Sequence, residues 1–413
     1  MNLSSFQHRV LYLSYDGMTD PLGQSQVIPY LKGLAELGHR ITLVSFEKSD
    51  RLEFKGKYIK KLLAAHGIDW IPIRYTKNPP VLSTVYDLLK LRRIGKNLHL
   101  KNQFTLVHCR SYLTALVGMY LKHRFGLKFL FDMRGFWADE RVEGGIWNLK
   151  NPLFRSIYRY FKKKEIELLE KADHVISLTY RAKEEIVTWK KLNSQPAITV
   201  IPCCVDLERF SPNKIPAEKI NELRTALAIA DDSEVLGYVG SIGTWYMLPE
   251  MLDYFKVFTS YFPSAIFLFV TQENPATILQ LAANKSIPEG SIRIKACTHD
   301  EVPLYISLMQ RSIFFIKPSY SKMASSPTKQ GELMAMGIPI VCNAGVGDTD
   351  HIVTTFSSGV VLEKLNETSY NSQLLVPLTF DKNALIQGAK TYFSLDEGVR
   401  SYQSVYLHLA TLK

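Results

Sequence analysis

The stretch "MASSPTKQGELMAMGIPIVC" occupies residues 323–342. Ser326 followed by Pro327 signals a helix start, because serine caps and proline suits the first helical position. Lys329 then falls in the first turn, and Glu332, three residues on, faces the same side. Gly337 ends the helix, and Ile338–Val341 read as a buried strand. Amides at a helix start make a seat for a diphosphate, to which Lys329 adds a positive charge. A carboxylate such as Glu332 can accept hydrogen bonds from both hydroxyls of a ribose. A capped helix with a surface Lys–Glu pair would carry the same pattern, so the rest of the chain has to decide.

Outward from that stretch, strands and helices alternate in two series. Short apolar runs at 9–16, 40–46, 68–74, 104–109, 127–133, 174–178 and 198–202 are separated by helical stretches such as 25–37, 84–99 and 152–171. A second series has strands at 234–240, 265–270, 291–296, 312–318, 338–343 and 359–363, with helices such as 247–261, 300–309 and 327–336. Apolar strands between amphipathic helices predict parallel sheets covered on both faces. The segment "CCVDLERFSPNKIP" (203–216) reads as a linker, with Pro212 and Pro216 as breakers. The expected fold is α/β, with two Rossmann-like doubly wound domains at 1–203 and 204–395. Their strand ends would face a central cleft, and a closing helix at 396–413 would pack back on the first domain.

A chain of 413 residues, 46% of them hydrophobic, is long enough for two cores. No apolar run approaches the roughly 18 residues of a membrane span. The N-terminal stretch "MNLSSFQHRVLYLSYDG" enters a strand without a signal-peptide pattern, so a cytoplasmic location is expected. Five cysteines without C-x-x-C spacing fit reduced thiols, not a disulfide frame or zinc site. The net charge of +11 is uneven. Up to Cys203 there are 33 Lys and Arg against 18 Asp and Glu, or +15; the remainder has 17 against 21, or −4. The basic front half calls for an anionic partner. No nucleic-acid-binding signature accompanies it.

Four segments carry a family resemblance: "DGMTDPLGQSQVIPYLKGLAELGHRITLVSF", "VIPCCVDLERFSP", "SPTKQGELMAMGIPIVCN" and "FSLDEGVRSYQSVY". Together they resemble the retaining GT-B glycosyltransferases of glycosyltransferase family 4, over nearly the whole chain. The resemblance implies a ribose contact for Glu332 and places Ser326, Thr328 and Lys329 at the donor. It puts Gly23 and Gln24 of "DPLGQSQ" (20–26) near the donor phosphate and acceptor; an ordinary strand–helix turn fits that segment equally. Two departures stand out. A glutamate that the family often carries eight residues before Glu332 is Ala324 here. The loop "GSIGTWYM" (240–247) lacks the family's Arg and Lys, so Gly240, Ser241 and Gly243 would supply backbone or hydroxyl donors.

The stretch "DMRGFWADERVEGGIW" (132–147) reads as a loop dense in charge and tryptophan, which suits sugar binding. Asp132 and Arg134 are the candidate acceptor or transition-state contacts. Asp139 and Glu140 are further acceptor candidates, with His108 and Arg110 at the same rim. The alternative is a loop held together by its own salt bridges. "GDTD" (347–350) contains a D-x-D, but its loop resembles a GT-B loop, so no required metal is expected. No cofactor is expected beyond a nucleotide sugar as substrate. The basic helical stretches 86–101 and 154–171 fit either solvated helix faces or docking on anionic lipid.

The expected activity is transfer of a sugar from a nucleotide diphosphate sugar to a hydroxyl of a glycan or polyprenyl-diphosphate-linked acceptor, in cell-surface polysaccharide synthesis. The enzyme would sit on the inner face of the cell membrane and bind no nucleic acid. The rivals are a nucleotide-sugar epimerase of GT-B fold and a non-catalytic basic binder of membrane or nucleic acid.

Overall fold

A computed structural model describes residues 7–376 and 379–412. The start of the N-terminal stretch and Lys413, the end of the expected closing helix, lie outside the described residues. The chain divides into two compact units, Met1–Pro202 with Leu395–Lys413, and Cys203–Ser394.

The first unit runs β1 (Arg9–Ser14), α1 (Pro21–Gln26), α2 (Ile28–Glu36), β2 (Arg40–Glu47), α3 (Ser49–Ala65), β3 (Asp69–Arg74), α4 (Leu82–Asn102), β4 (Leu106–Arg110), α5 (Ser111–Phe125), β5 (Lys128–Asp132), α6 (Trp137–Glu143), α7 (Pro152–Lys171), β6 (His174–Ser177), α8 (Tyr180–Val187) and β7 (Ile198–Val200). Its parallel sheet has the order β3-β2-β1-β4-β5-β6-β7. The order reverses between β1 and β4, and the carboxyl ends of strands at such a reversal are where ligands bind in open α/β sheets. The helix expected at 25–37 is broken at Val27, whose φ of −127° and ψ of −60° are not helical. Pro29 follows in the first turn of α2; inside one unbroken helix it would have no N–H for the Ser25 carbonyl and its ring would clash with that group. The stretch 132–147, expected as a loop, contains α6.

The second unit runs α9 (Ala217–Ala226), β8 (Val235–Val239), α10 (Leu248–Tyr261), β9 (Ile266–Val270), α11 (Pro275–Asn284), β10 (Ile292–Lys295), α12 (Val302–Ile306), β11 (Arg311–Phe314), α13 (Thr328–Ala335), β12 (Ile340–Asn343), α14 (Thr349–Thr355), β13 (Gly359–Leu362), α15 (Glu367–Leu374) and α16 (Lys382–Phe393). Its parallel sheet has the order β10-β9-β8-β11-β12-β13, reversing between β8 and β11. The central strands β8, β9, β11 and β12 are buried on both faces, which explains their continuous apolar runs, while the edge strands β10 and β13 are only partly buried. The last helix, α17 (Leu395–Thr411), returns to the first unit and packs on α2. Gly33 makes that approach possible, since a Cβ there would meet Val399 at 2.7 Å. No described helix is long and apolar enough to cross a membrane.

Helix α13 packs so closely on its neighbours that a Cβ at Gly331 would lie 2.8 Å from both Phe393 and Val205. Gly331→Ala is therefore expected to destabilise the protein by about 1–3 kcal/mol, even though alanine is the better helix former by roughly 1 kcal/mol. Thermal unfolding checks the sign; a melting temperature at or above that of the unsubstituted protein would mean that the helix has room to spare.

Candidate active site

In the second unit, α13 starts one residue later than expected. Pro327 is the residue before the helix, and it makes no side-chain cap to the first turn. Ser326 does not cap: its Oγ accepts a hydrogen bond from the Cys203 amide at 3.1 Å. Thr328 is the first helical residue. Lys329 follows, and its burial is the main feature of the site. Its Nζ lies 4.3 Å from the ring centre of Tyr238 and 3.6 Å from that of Tyr246, and donates to the Tyr238 hydroxyl at 3.1 Å. The Tyr238 hydroxyl in turn donates to the Ser241 carbonyl. Burial pushes the Lys329 pKa down to about 7, against the opposing pull of the Glu332 carboxylate.

The loop between β8 and α10 has no basic residue, and the structure shows what it has in place of one. Tyr246 presents its ring to Lys329, and Trp245 presents its ring to Lys322, whose Nζ is 3.8 Å from the ring centre. Neither Lys322 nor this aromatic role was visible in the sequence, although the adjacent Trp245–Tyr246 pair was its only trace. Gly240 has φ +113°, and a Cβ there would lie 3.3 Å from Lys329 Nζ. The backbone conformation is the reason for glycine here, since the tip of Lys329 could yield by a few tenths of an ångström. Gly243 faces open space. Glu332 is as buried as Lys329, so the two do not form a surface pair. Its Oε1 lies 3.3 Å from His299 Nε2.

Of the D-x-D carboxylates, Asp348 accepts from the Tyr392 hydroxyl at 2.7 Å. Asp350 accepts from the Gly345 and His351 amides at 3.3 and 3.0 Å. Among the described residues no group of three or more His, Cys, Asp and Glu side chains is placed to hold a metal ion. A cavity of about 260 Å³, lined in part by Arg311, Gly337, Ile340 and Gln373, sits at the amino ends of β11 and β12. That is the opposite end of the strands from Lys329.

In the first unit, the loop before α1 is organised by Glu47 at the end of β2. This buried carboxylate accepts from the Met18 amide at 2.7 Å, the Thr19 amide at 3.0 Å, and the Thr19 and Ser45 hydroxyls at 2.5 Å each. The sequence reading missed it, because its partners are set by strand pairing. A Cβ at Gly23 would lie 2.2 Å from the Gly17 carbonyl oxygen, so this glycine lets α1 close on its own loop. The Gln24 amide donates to the Thr19 carbonyl at 3.0 Å.

At the ends of β4 and β5 the structure gathers His108, Arg110, Asp132 and Arg134. Asp132 is buried; the Tyr402 hydroxyl of α17 donates to its Oδ2 at 3.1 Å. His108 Nε2 and Arg110 Nη1 lie 3.7 and 3.9 Å from that Oδ2, and Arg134 Nη1 lies 3.7 Å from Oδ1. These separations are too long for direct hydrogen bonds. Oδ1 of Asp132, Nε2 of His108 and Nη1 of Arg110 have no hydrogen-bond partner among the described residues. Arg110 Nε donates to Asp16 at 3.0 Å, and His108 Nδ1 meets the Tyr406 hydroxyl at 2.9 Å. Burial alone would raise the Asp132 pKa, but Arg134, His108 and Arg110 outweigh it and hold the carboxyl below its usual value. Burial outweighs the pull of Asp132 and lowers the pKa of His108. Arg134 has a left-handed φ of +60°, a conformation that costs energy in a non-glycine residue.

Other candidates lie outside that cluster. Asp139 accepts from the Tyr158 hydroxyl and from Lys162, both at 2.8 Å, within the α6–α7 packing. Glu140, half-buried, sits beside it on α6. Trp137 and Trp147 do not stand as open platforms. They pack edge to face at 5.2 Å and both contact Phe161.

Comparison with known proteins gives this geometry a class. The family profile described as Glycosyltransferase Family 4 matches residues 25–209, and that described as Glycosyl transferases group 1 matches residues 219–375. The chain is similar to a glycosyltransferase from Rickettsia africae ESF-5, at 16% identity and a TM-score of 0.73, covering 98% of this chain and 100% of the other. It is similar to Anabaena Alr3699/HepE, solved with UDP and glucose, at 13% identity and a TM-score of 0.67, covering 98% and 100%. It also resembles WaaG, a glycosyltransferase involved in lipopolysaccharide biosynthesis, at 14% identity and a TM-score of 0.62, covering 96% and 95%. Among curated proteins, none matches the chain in sequence. At these identities the structural likeness speaks to the fold, which is GT-B. Fold and profiles define a glycosyltransferase that takes its sugar from a nucleotide sugar. The chain belongs to glycosyltransferase family 4, a retaining family whose members typically work without metal.

A lysine that loses its proton near pH 7 gives the site a measurable signature. An anion at Lys329 favours the ammonium form, so nucleotide binding should take up a proton above pH 7. Affinity should then fall by up to about tenfold per pH unit above that point. In the ligand-free protein the unfolded state binds the extra proton between pH 7 and 10.5, so stability should rise with pH across that window. Titration calorimetry with UDP and GDP from pH 6.5 to 9, and thermal unfolding over the same range, check both signs. Lys329→Met should flatten both profiles.

Proposed function

We propose that the second unit holds the nucleotide sugar, with the diphosphate at Lys329 and the start of α13 and the ribose at Glu332. The first unit holds the acceptor, a glycan or polyprenyl-diphosphate-linked hydroxyl of cell-surface polysaccharide synthesis. The single observation that carries this reading is the buried Lys329 ammonium beside an uncapped helix start, with a buried carboxylate one turn on. Gly240, Ser241 and Gly243 line the approach to the phosphates, and Gly23 and Gln24 shape the loop of the other unit. In the reaction the bond from the anomeric carbon to the diphosphate oxygen breaks, and the acceptor oxygen forms the new bond to that carbon. The acceptor proton passes to the departing phosphate. Lys329 and the helix amides stabilise the charge that develops there, the work a metal performs in other sites. Asp132, held ionised, accepts a hydrogen bond from the acceptor hydroxyl through Oδ1. Arg134, Arg110 and His108 supply donors around it.

Glu332→Ala should cut transfer at least about tenfold while leaving the protein folded, since hydrogen bonds to charged groups are worth about 1.5–3 kcal/mol. Release of nucleoside diphosphate in the presence of a lipid-linked acceptor is the assay, and full activity in that variant would remove the assignment. EDTA should leave the rate unchanged.

A location on the inner face of the cell membrane is part of the same proposal, supported by the orientation of α4. Its buried face is Ser83, Asp87, Leu91 and Gly95. Asp87 is anchored there by the Tyr15 hydroxyl at 3.0 Å and by the Thr76 amide and hydroxyl at 3.1 and 2.8 Å. That anchor turns Leu82, Val85, Tyr86 and Leu89, spaced as one helical stripe, outward, each about half to two-thirds exposed. Arg92, Arg93 and Lys96 are exposed farther along the helix. On α7, Leu153 and Tyr160 are exposed among Arg155, Arg159 and Lys163. Apolar side chains interleaved with cations suit an anionic lipid surface, where each charge contributes about 1 kcal/mol. Tyr86→Glu with Leu89→Glu should abolish sedimentation with phosphatidylglycerol vesicles and leave binding of the nucleotide unchanged.

A further inference from the structure

The carboxylate assigned to the ribose is not held by its own helix. Its Oε1 faces His299 Nε2 at 3.3 Å, and on the other side of the same ring Arg209 Nη1 lies 2.6 Å from Nδ1. A guanidinium can only donate, so Nδ1 must be the acceptor. The proton of the neutral ring then sits on Nε2 and points at Glu332. Arg209 is fixed in turn: its Nε lies 3.4 Å from Asp300 Oδ1. The Asp206 carboxylate accepts from the Glu208 and Arg209 amides at 3.0 and 3.1 Å. Buried Phe210 meets the His299 ring edge to face at 5.6 Å. The imidazole is thus clamped from three directions, and two of the clamps come from the linker sequence 203–216.

We propose that His299 is a positioning residue for Glu332, and that Arg209 of the linker selects its tautomer. A neutral donor on one carboxylate oxygen fixes the rotation of the group without cancelling its charge. The carboxylate then meets the two ribose hydroxyls in a prepared orientation, which saves the cost of ordering it on binding. Arg209 touches no substrate in this scheme and acts only through the ring. The inference rests on the reading that Glu332 grips the ribose.

The test is titration of the full chain with UDP and GDP and with their 2′-deoxy counterparts, beside donor KM and kcat in transfer. The unsubstituted protein should prefer the ribonucleotide, and Glu332→Gln should lose most of that preference. His299→Ala should weaken ribonucleotide binding about three- to tenfold and barely change deoxynucleotide binding, with donor KM raised and kcat at saturation unchanged. His299→Gln, whose amide can donate to Glu332 without a tautomer to choose, should restore most of the loss. Arg209→Met should cost about two- to threefold alone and nothing in the His299→Gln background. If His299→Ala binds like the unsubstituted protein, or loses ribo- and deoxynucleotide equally, while Glu332→Gln loses the preference, the relay is wrong and the ribose assignment stands. If Glu332→Gln keeps the full preference, both fall.

Discussion

The second unit depends on a buried ammonium. Lys329 has exchanged water for two tyrosine rings, one hydroxyl and the field of Glu332. Such partners compensate only part of the lost hydration, which is why the proton is loosely held. A pyrophosphate would supply the missing compensation. The start of α13 adds amide hydrogens that Pro327 does not cap, and the strand order reverses just here. Three independent constraints, desolvation, helix polarity and sheet topology, therefore converge on one place for negative charge.

The first unit solves the opposite problem. Among its buried ionisable groups, the Asp132 carboxyl is held below its usual pKa by Arg134, His108 and Arg110 against the effect of burial. Neither guanidinium closes to hydrogen-bonding distance, so Oδ1 has an ion-pair neighbour in Arg134 but no hydrogen-bond partner among the described residues. The tyrosine that fills the other oxygen comes from α17, 270 residues away in sequence. The helix that returns to this unit thus completes its polar centre as well as covering α2. Glu47 has a comparable organising role, with four hydrogen bonds that shape the turn before α1.

The amphipathic stretch that became α4 shows how a pattern can be legible while its direction is not. Leucines and basic residues at helical spacing fit either a core face with a solvated charged face or docking on anionic lipid, and docking is the preferred reading. The structure turns Leu82, Val85, Tyr86 and Leu89 outward, because Asp87 on the opposite face has stronger partners inside. A buried side chain that accepts from three donors outweighs the burial of a few partly exposed apolar side chains.

Local sequence was enough to determine the alternation of strands and helices, the parallel sheets and the helix that carries Lys329 and Glu332. Those follow from the period of apolar residues and from where Ser, Pro and Gly stand. It also brought Lys329, Glu332, Asp132 and Arg134 forward as charged groups at strand or helix ends, where side chains converge in such folds. What it left open was decided by neighbours distant in the chain. Ser326 bonds Cys203 and does not cap, Gly23 packs against Gly17, Asp139 is consumed by α7, and Tyr402, Glu47 and His299 enter from other elements. Periodicity is a local property and survives in one dimension. The pairing of a buried charge depends on which atoms lie within about 3 Å, a distance set only once the sheets have formed.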